Sequence, residues 1–299
     1  FRHRYMLHVL WREVAGTAEV AETLGALSAL ADRLVAAAGV YAERQLENRC
    51  GRFRDREGTI VPLVVLAMGK LGGGELNFSS DIDIVFLYPA DGESDGPRTL
   101  SGQQYFTRLS QSIVSLLDEH TADGFVFRVD TRLRPFGDSG PPVTSFAALE
   151  SYLLQHGRDW ERYAYIKARI VGQAPPPAVA DDLFGNLVVP FVYRRYLDYG
   201  VFESLREMYA LIAAEVQRRD LADNVKLGPG GIREIEFIVQ SMQLVRGGDR
   251  EELQQPSLLR VLPALEGSRG LERAAVMRLR EAYAFLRRLE NFIQAMRDQ

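Results

Sequence analysis

The 299-residue chain carries 36 lysines and arginines against 40 aspartates and glutamates, a formal charge of −4, with 46% hydrophobic residues. That balance suits a globular protein with a sizeable core, as two domains or one large one with an appendage, and disfavours a general nucleic-acid binder, which needs a basic field to match phosphates. The single cysteine, Cys50, excludes an internal disulfide and a thiolate metal cage and fits a reducing cytoplasm; no apolar run reads as long enough to span a bilayer, and no signal-peptide pattern opens the chain.

From Phe1 to about Arg49 apolar residues recur at helical spacing (Met6, Val9, Leu10, Val14, then Leu24, Leu27, Leu30, Leu34), which predicts two helices parted near Gly16 and Thr17. Arg52–Gly58 reads as a polar loop. Ile60–Met68 is continuously apolar and β-branched, as suits a strand covered on both faces, and a glycine-rich turn leads to a second strand, Ile82–Leu87. The stretch ADGESDGPRTLSG reads as loop, Tyr105–Leu117 as amphipathic helix, and Gly124–Leu133 as a third strand stopped by Pro135. Ser145–Gln155 is predicted as helix with Ser145 as N-cap, and Trp160–Val171 as helix passing into a short strand. QAPPPAVADD reads as a proline-rich joint, and beyond Leu183 the period is helical except at NVKLGPGG, before IREIEFIVQSMQLV. The apolar residues Phe285, Leu286, Leu289 and Phe292 read as core of the last helices. The fold class is therefore α+β: helices at 1–56, a small mixed-sheet core at 57–175 and an all-helical domain at 176–299. Both ends read as helix, which suggests a piece of a longer protein.

The chemistry concentrates in GKLGGGELNFSSDIDIVFLY, Gly69–Tyr88. Aspartate is a poor strand former and costly to bury alone. Residues two apart on a strand share a face, roughly 6.5–7 Å apart, so Asp81 and Asp83 project together while Ile82, Ile84 and Phe86 point into apolar packing. Two such carboxylates can share a hard divalent cation or bracket a pair of them about 3.5–4 Å apart, as in phosphoryl or nucleotidyl transfer. The backbone at Gly72, Gly73 and Gly74, with the hydroxyls of Ser79 and Ser80, could donate to phosphate oxygens. Mg²⁺ wants six oxygens, and Asp130 in RVDTRLRP is the best third carboxylate, flanked by Arg128, Arg132 and Arg134. Arginine there offers a planar fork for phosphate. Each feature has a bland reading: a lone Asp-x-Asp is usually a solvated strand end, a glycine cluster usually a turn, and exposed arginines usually surface pairs. Their combination, with the third acid and its arginines on another strand, favours a metal-dependent phosphate-transfer site. Four histidines (His3, His8, His120, His156) show no ligand spacing for zinc.

On these residues the chain resembles the nucleotidyltransferase fold typified by DNA polymerase beta, with a shorter segment between the glycines and Asp81 than many members show. More narrowly, MGKLGGGELNFSSDIDIVF, DGFVFRVDTRLRPFGDSGP, GRDWERYAYIKARIVG and KLGPGGIREIEFIVQ resemble the bacterial glutamine synthetase adenylyltransferase/adenylyl-removing enzyme family, block after block in order. GGGELNFSSDID and GRDWERYAYIKAR are similar to its N-terminal, adenylyl-removing half.

The resemblance implies Asp81, Asp83 and Asp130 as ligands of two Mg²⁺ (or Mn²⁺) ions. The implied reaction is phosphorolytic removal of AMP from adenylyl-tyrosine of glutamine synthetase, giving ADP in the cytoplasm. Lys70, Arg132 and Arg134 are candidates for phosphate contacts. Lys167, Arg169, Glu234 and Glu236 are candidates around them, although a solvated strand edge explains the first two at least as well and helix packing is the default for the two glutamates. Implied partners are adenylylated glutamine synthetase, a PII-type signalling protein and the missing C-terminal adenylyltransferase half; no nucleic acid or membrane is expected. Two alternatives remain: ATP-dependent adenylylation at the same acids, or a non-catalytic module binding a nucleotide or PII-type protein. RNA tailing fits the acidic charge poorly.

Overall fold

A run such as IVFLY can be apolar throughout only if both faces of its strand are covered, and the computed structural model, which describes residues 1–194, 199–221, 223–267 and 270–297, covers both. The chain enters through α1 (Arg2–Val14) and the 31-residue α2 (Val20–Cys50), parted at Gly16 as the sequence suggests. By length and composition α2 could cross a membrane, contrary to the sequence expectation. Its stripe Leu24, Leu27, Leu30, Ala31 and Val35 is buried in the protein instead.

Next come β1 (Phe53–Asp55), β2 (Val64–Ala67), the one-turn α3 (Gly69–Gly72), β3 (Ile82–Tyr88) and β4 (Gly92–Ser94). Two expected loops are thus strands: β1 and β4 pair antiparallel, Phe53 opposite Ser94, and Asp95 closes them by accepting from the Arg52 amide and the Arg54 guanidinium. The strand expected from Ile60 begins only at Val64, because Pro62 has no N–H for a ladder; Ile60 makes a single bridge to Arg54.

Helix α4 (Gly102–Asp118) starts in a reciprocal cap between Ser101 and Gln104. Of the strand expected over Gly124–Leu133 only β5 (Val129–Asp130) forms. The amides of Val126 and Phe127 both donate to the Leu117 carbonyl, closing the end of α4, and Asp130 accepts the Arg132 amide, which turns the chain away. The short β6 (Val143–Ser145) leads into α5 (Phe146–Gln155), capped by Ser145 as expected, then α6 (Asp159–Tyr165) and β7 (Arg169–Val171).

In the five-stranded sheet β2 lies antiparallel between β3 and β7, while β5 and β6 pair parallel with opposite ends of β3. Alternation then sorts the side chains. Ile82, Ile84 and Phe86 join a cluster with α2 and α4; Val85 and Leu87 join another with α5 and α6. Asp81 and Asp83 have the parity of Val85 and Leu87, so they belong to the second face.

The proline-rich joint becomes α7 (Pro177–Asp181), a wide π-helical stretch Asp182–Val188 and α8 (Val189–Val192). The helices α9 (Tyr199–Arg218), α10 (Ile232–Arg246), α11 (Leu258–Val261) and α12 (Arg273–Arg297) follow. Packing does not pause at the joint: Leu183, Val192, Leu205 and Leu244 share one cluster with Val64, Leu66, Val85 and Leu87. Along α12 Leu286 packs on the core as expected, and Leu289 and Phe292 are half-buried, but Phe285 is not core. Phe285 is 65% exposed, and the buried face carries Tyr283, Arg287, Glu290 and Asn291.

Candidate active site

The parallel pairing of β3 and β5 sets Asp83 directly opposite Asp130, so the two carboxylates stand side by side at the end of neighbouring strands, about 4.8 Å apart in backbone spacing. Asp81 lies one residue before β3, on the same side as Asp83. Strand register thus brings Asp83 and Asp130 together, and Asp81 precedes Asp83 by two residues.

The three acids are not equivalent. Arg128 donates through Nε to Asp81 Oδ1 at 2.5 Å, and through Nη2 to the Ser79 carbonyl at 2.6 Å. Arg132 forks onto Asp130, Nη2 to Oδ2 at 2.5 Å and Nε to Oδ1 at 3.1 Å, which holds the Asp130 carboxyl below its usual range. Asp83 sits between them, and no described residue donates a hydrogen bond to its carboxylate. Burial, then the negative charges of Asp130 and Asp81, push its pKa up to about 6, against the opposing charges of Lys226 and Arg132. With the outer acids turned to arginines, the described residues hold no closed set of three metal-binding side chains. The donors are nevertheless all oxygen, and the central one is half-sheltered, unbonded and flanked by like charge. That combination fits a hard divalent cation.

Gly69, at φ +55°, presses on this acid: a Cβ there would lie 2.3 Å from Asp83 Oδ2. The glycines singled out from the sequence act differently. The amides of Gly72, Gly73 and Gly74 donate to the carbonyls of Met68, Gly69 and Leu71, so they close the turn and do not cradle phosphate. Gly72 is needed because a Cβ there would meet the Lys167 carbonyl at 1.8 Å. Ser79 Oγ faces Arg128 at 3.3 Å, and Ser80 Oγ accepts the Asn77 amide at 3.4 Å.

The proposed basic contacts divide likewise. Lys70 donates to Glu290 of α12 at 2.8 Å, and burial lowers its pKa to about 8. Arg134 holds the 131–140 loop through the Thr131 hydroxyl and carbonyl and the Gly140 carbonyl. Arg169 pairs with Asp32 and caps the carbonyls of Leu71 and Gly72, so it braces the glycine turn from behind. Lys167, 6% exposed, donates to Glu236 of α10 at 2.6 Å. Burial alone would raise Glu236, yet that ammonium brings it down to about 2. Glu234 accepts from Tyr209 and from the Gly230 amide, tying α9 and the 224–231 loop to the start of α10. Lys70, Lys167, Arg169, Glu234 and Glu236 are thus engaged in the frame, while the Arg134 charge also helps to lower the Asp130 carboxyl.

The loop Lys226–Gly231 is one that the sequence suggests leans over the site, but the side chain that acts on the acids is Lys226, not Glu234 or Glu236. The Lys226 amide donates to Asn224 Oδ1 and its carbonyl accepts the Arg233 amide, and it is the leading positive charge on Asp83. The signal was available, since KLGPGG was already the one break in the helical half.

Comparison with known proteins gives the family. Residues 1–182 match the family model for glutamate-ammonia ligase adenylyltransferase, and 206–299 match that for the GlnD PII-uridylyltransferase. Proteins named bifunctional glutamine synthetase adenylyltransferase/adenylyl-removing enzyme from Shewanella loihica, Shewanella frigidimarina and Shewanella woodyi are 51%, 50% and 49% identical over the whole chain, which spans 31% of each of them. The matched part is their N-terminal third. With one family model over residues 1–182 and such relatives over every residue, the chain belongs to the glutamate-ammonia ligase adenylyltransferase family.

Proposed function

We propose that this chain is the adenylyl-removing catalytic unit of such an enzyme, which transfers AMP from an adenylylated tyrosine of glutamine synthetase to inorganic phosphate. The observation that carries the reading is the in-register pair Asp83–Asp130 with Asp81 beside it, whose central acid is unbonded and raised to about 6. Asp81, Asp83 and Asp130 would hold Mg²⁺ or Mn²⁺, and the bound cations would offset anionic charge and favour departure of the tyrosine oxygen. A phosphate oxygen bonds to the α-phosphorus as the bond from phosphorus to the tyrosine oxygen breaks. The phosphate's proton ends on that oxygen, leaving ADP and free tyrosine. The phenol's reference pKa of about 10 makes it a tolerable leaving group without a strong general acid. Arg132 and Arg128 lie at the outer acids and offer forks for phosphate oxygens. Lys226 supplies positive charge above Asp83, and the strand ends keep the groups in line.

The match of residues 206–299 to a PII-uridylyltransferase supports contact of a PII-type protein with the helical half. The single buried cysteine suits a cytoplasmic setting. The test is ADP release from adenylylated glutamine synthetase by the purified chain with Mg²⁺ and phosphate, abolished in Asp81→Asn or Asp83→Asn. No release alongside ATP-dependent adenylylation would assign the opposite reaction. Nucleotide binding indifferent to Mg²⁺ and to loss of Asp130 would assign a non-catalytic module.

A further inference from the structure

The later part of the buried face of α12 is polar: Asn291 donates to Glu13 of α1, and the other groups reach the segment that leads into Asp81. Lys70 Nζ donates to Glu290, and the Tyr283 hydroxyl donates to Glu75 Oε2 at 2.9 Å. Arg287, wholly buried, donates to the Glu75 carbonyl and to Asn77 Oδ1. Two turns further on, Gln294 Oε1 accepts the Ser79 amide at 3.1 Å. From the other side Arg128 takes the Ser79 carbonyl together with the Asp81 carboxylate. Ser79 is therefore gripped at both ends of its peptide, its N–H by the last helix and its C=O by the arginine that also holds an acid of the site.

We propose that α12 is a clamp on the carboxylate loop, with Gln294 as a positioning residue that fixes the Ser79–Asp81 backbone for divalent-ion binding. The inference rests on the reading of Asp81, Asp83 and Asp130 as a cation site. It goes beyond that reading by making a helix near residue 290 a control point for residues near 80. An influence that tilts α12 then acts on the carboxylates without touching them. Arg287, Tyr283 and Glu75 are buried too deeply to separate positioning from folding. Gln294 is only partly buried, and its bond joins two surface-reaching segments.

The test uses the 299-residue chain with Gln294→Leu, which keeps bulk and loses the acceptor, and Gln294→Glu, which keeps an acceptor. Three quantities are measured: amide exchange at Ser79–Asp81, Mn²⁺ binding by electron paramagnetic resonance, and the thermal midpoint. The leucine variant should exchange faster at Ser79 and bind Mn²⁺ about three- to tenfold more weakly, the factor that one net hydrogen bond carries. Its midpoint should fall by no more than about 2–4 °C, the shift that one lost hydrogen bond carries, and the glutamate variant should restore exchange and binding. Unchanged Mn²⁺ affinity or unchanged exchange in Gln294→Leu overturns the clamp. So does an equal loss in both variants with a larger fall in midpoint, which would mark general packing. If the wild-type chain binds no Mn²⁺, the cation-site reading fails and the clamp with it. If wild type and Gln294→Leu bind alike, only the clamp fails.

Discussion

Replacing Asp83 with asparagine should stabilise the metal-free protein at neutral pH, although it removes a central residue of the proposed site. The carboxyl is moved from its ordinary 3.8 to about 6 in the folded chain by burial and by Asp130 and Asp81. A raised folded pKa means that the protonated form is favoured in the native state. Its stabilising effect is complete below about pH 4 and is lost as pH rises through about 6. At pH 8 the ionised group therefore costs the folded state something, with a ceiling of about 3 kcal/mol at about 1.4 kcal/mol per pH unit. Partial solvent access reduces this to about 1–2 kcal/mol. Urea denaturation of wild type and Asp83→Asn, in chelator from pH 3.5 to 8, should show the variant gaining that amount at pH 8 and converging with wild type below about pH 4. Added Mg²⁺ should reverse the order, because ligand binding stabilises only the chain that retains the acid. A variant less stable than wild type at every pH, or a difference that does not change with pH, would refute the electrostatic account of this acid.

Glu236→Gln leaves the buried Lys167 ammonium with Glu75, at 3.9 Å, as its one remaining acidic partner among the described residues. It should cost about 3–5 kcal/mol in urea denaturation, while Lys167→Met combined with Glu236→Leu recovers most of the loss. Gly69→Ala places a methyl against Asp83 at positive φ. It should lower stability by at least about 1 kcal/mol and weaken Mn²⁺ binding in a titration, through displacement of the carboxylate. Lys226→Met removes the leading positive charge on Asp83, so the Asp83 carboxyl should titrate at still higher pH in a carbon-13 NMR titration of the metal-free protein. Lys226→Arg should leave it near the wild-type position.

Local patterning made the chain's ladder legible. The alternation through Ile82, Asp83, Ile84 and Phe86 identified both the strand and the side on which its acids stand, because burial on two faces leaves little freedom in register. Ser145 and the Gly16 break declared their helix ends for similarly local reasons. What stayed hidden depends on partners distant in sequence. Phe53–Asp55 and Gly92–Ser94 become strands only by meeting each other, and Gly124–Leu133 loses its strand to carbonyl Leu117 at the end of α4. The polar partners were hardest of all. Lys70 reads as a phosphate contact, and Lys167 and Arg169 as candidates around it, whereas Glu290, Glu236 and Asp32 claim them from other helices. Conversely Arg287 and Glu290, which look like surface residues of an amphipathic helix, form the buried face of α12. Charge on a helix announces its solvent side only when nothing across the interface can satisfy it.

The arginines on the outer acids raise a question of sequence in time. Arg128 and Arg132 neutralise Asp81 and Asp130 in this structure, so a cation entering the site competes with them. Arg132 is the clearer case, since its side chain is 72% exposed and its only described salt-bridge partner is Asp130. Removing it should therefore act in opposite directions on two ligands. Arg132→Ala frees Asp130 for the metal and should tighten Mn²⁺ binding in the absence of phosphate by about two- to fivefold, the modest scale of an exposed ion pair. The same change deletes a fork that a displaced arginine would turn toward phosphate, so the KM for phosphate should rise by tenfold or more, in keeping with the strength of charge-assisted bonds. Isothermal titration with Mn²⁺ and steady-state kinetics against phosphate separate the two. A parallel loss in both would mean that Arg132 simply braces Asp130. Unchanged phosphate dependence with tighter metal would make the arginine a placeholder for the cation and nothing more.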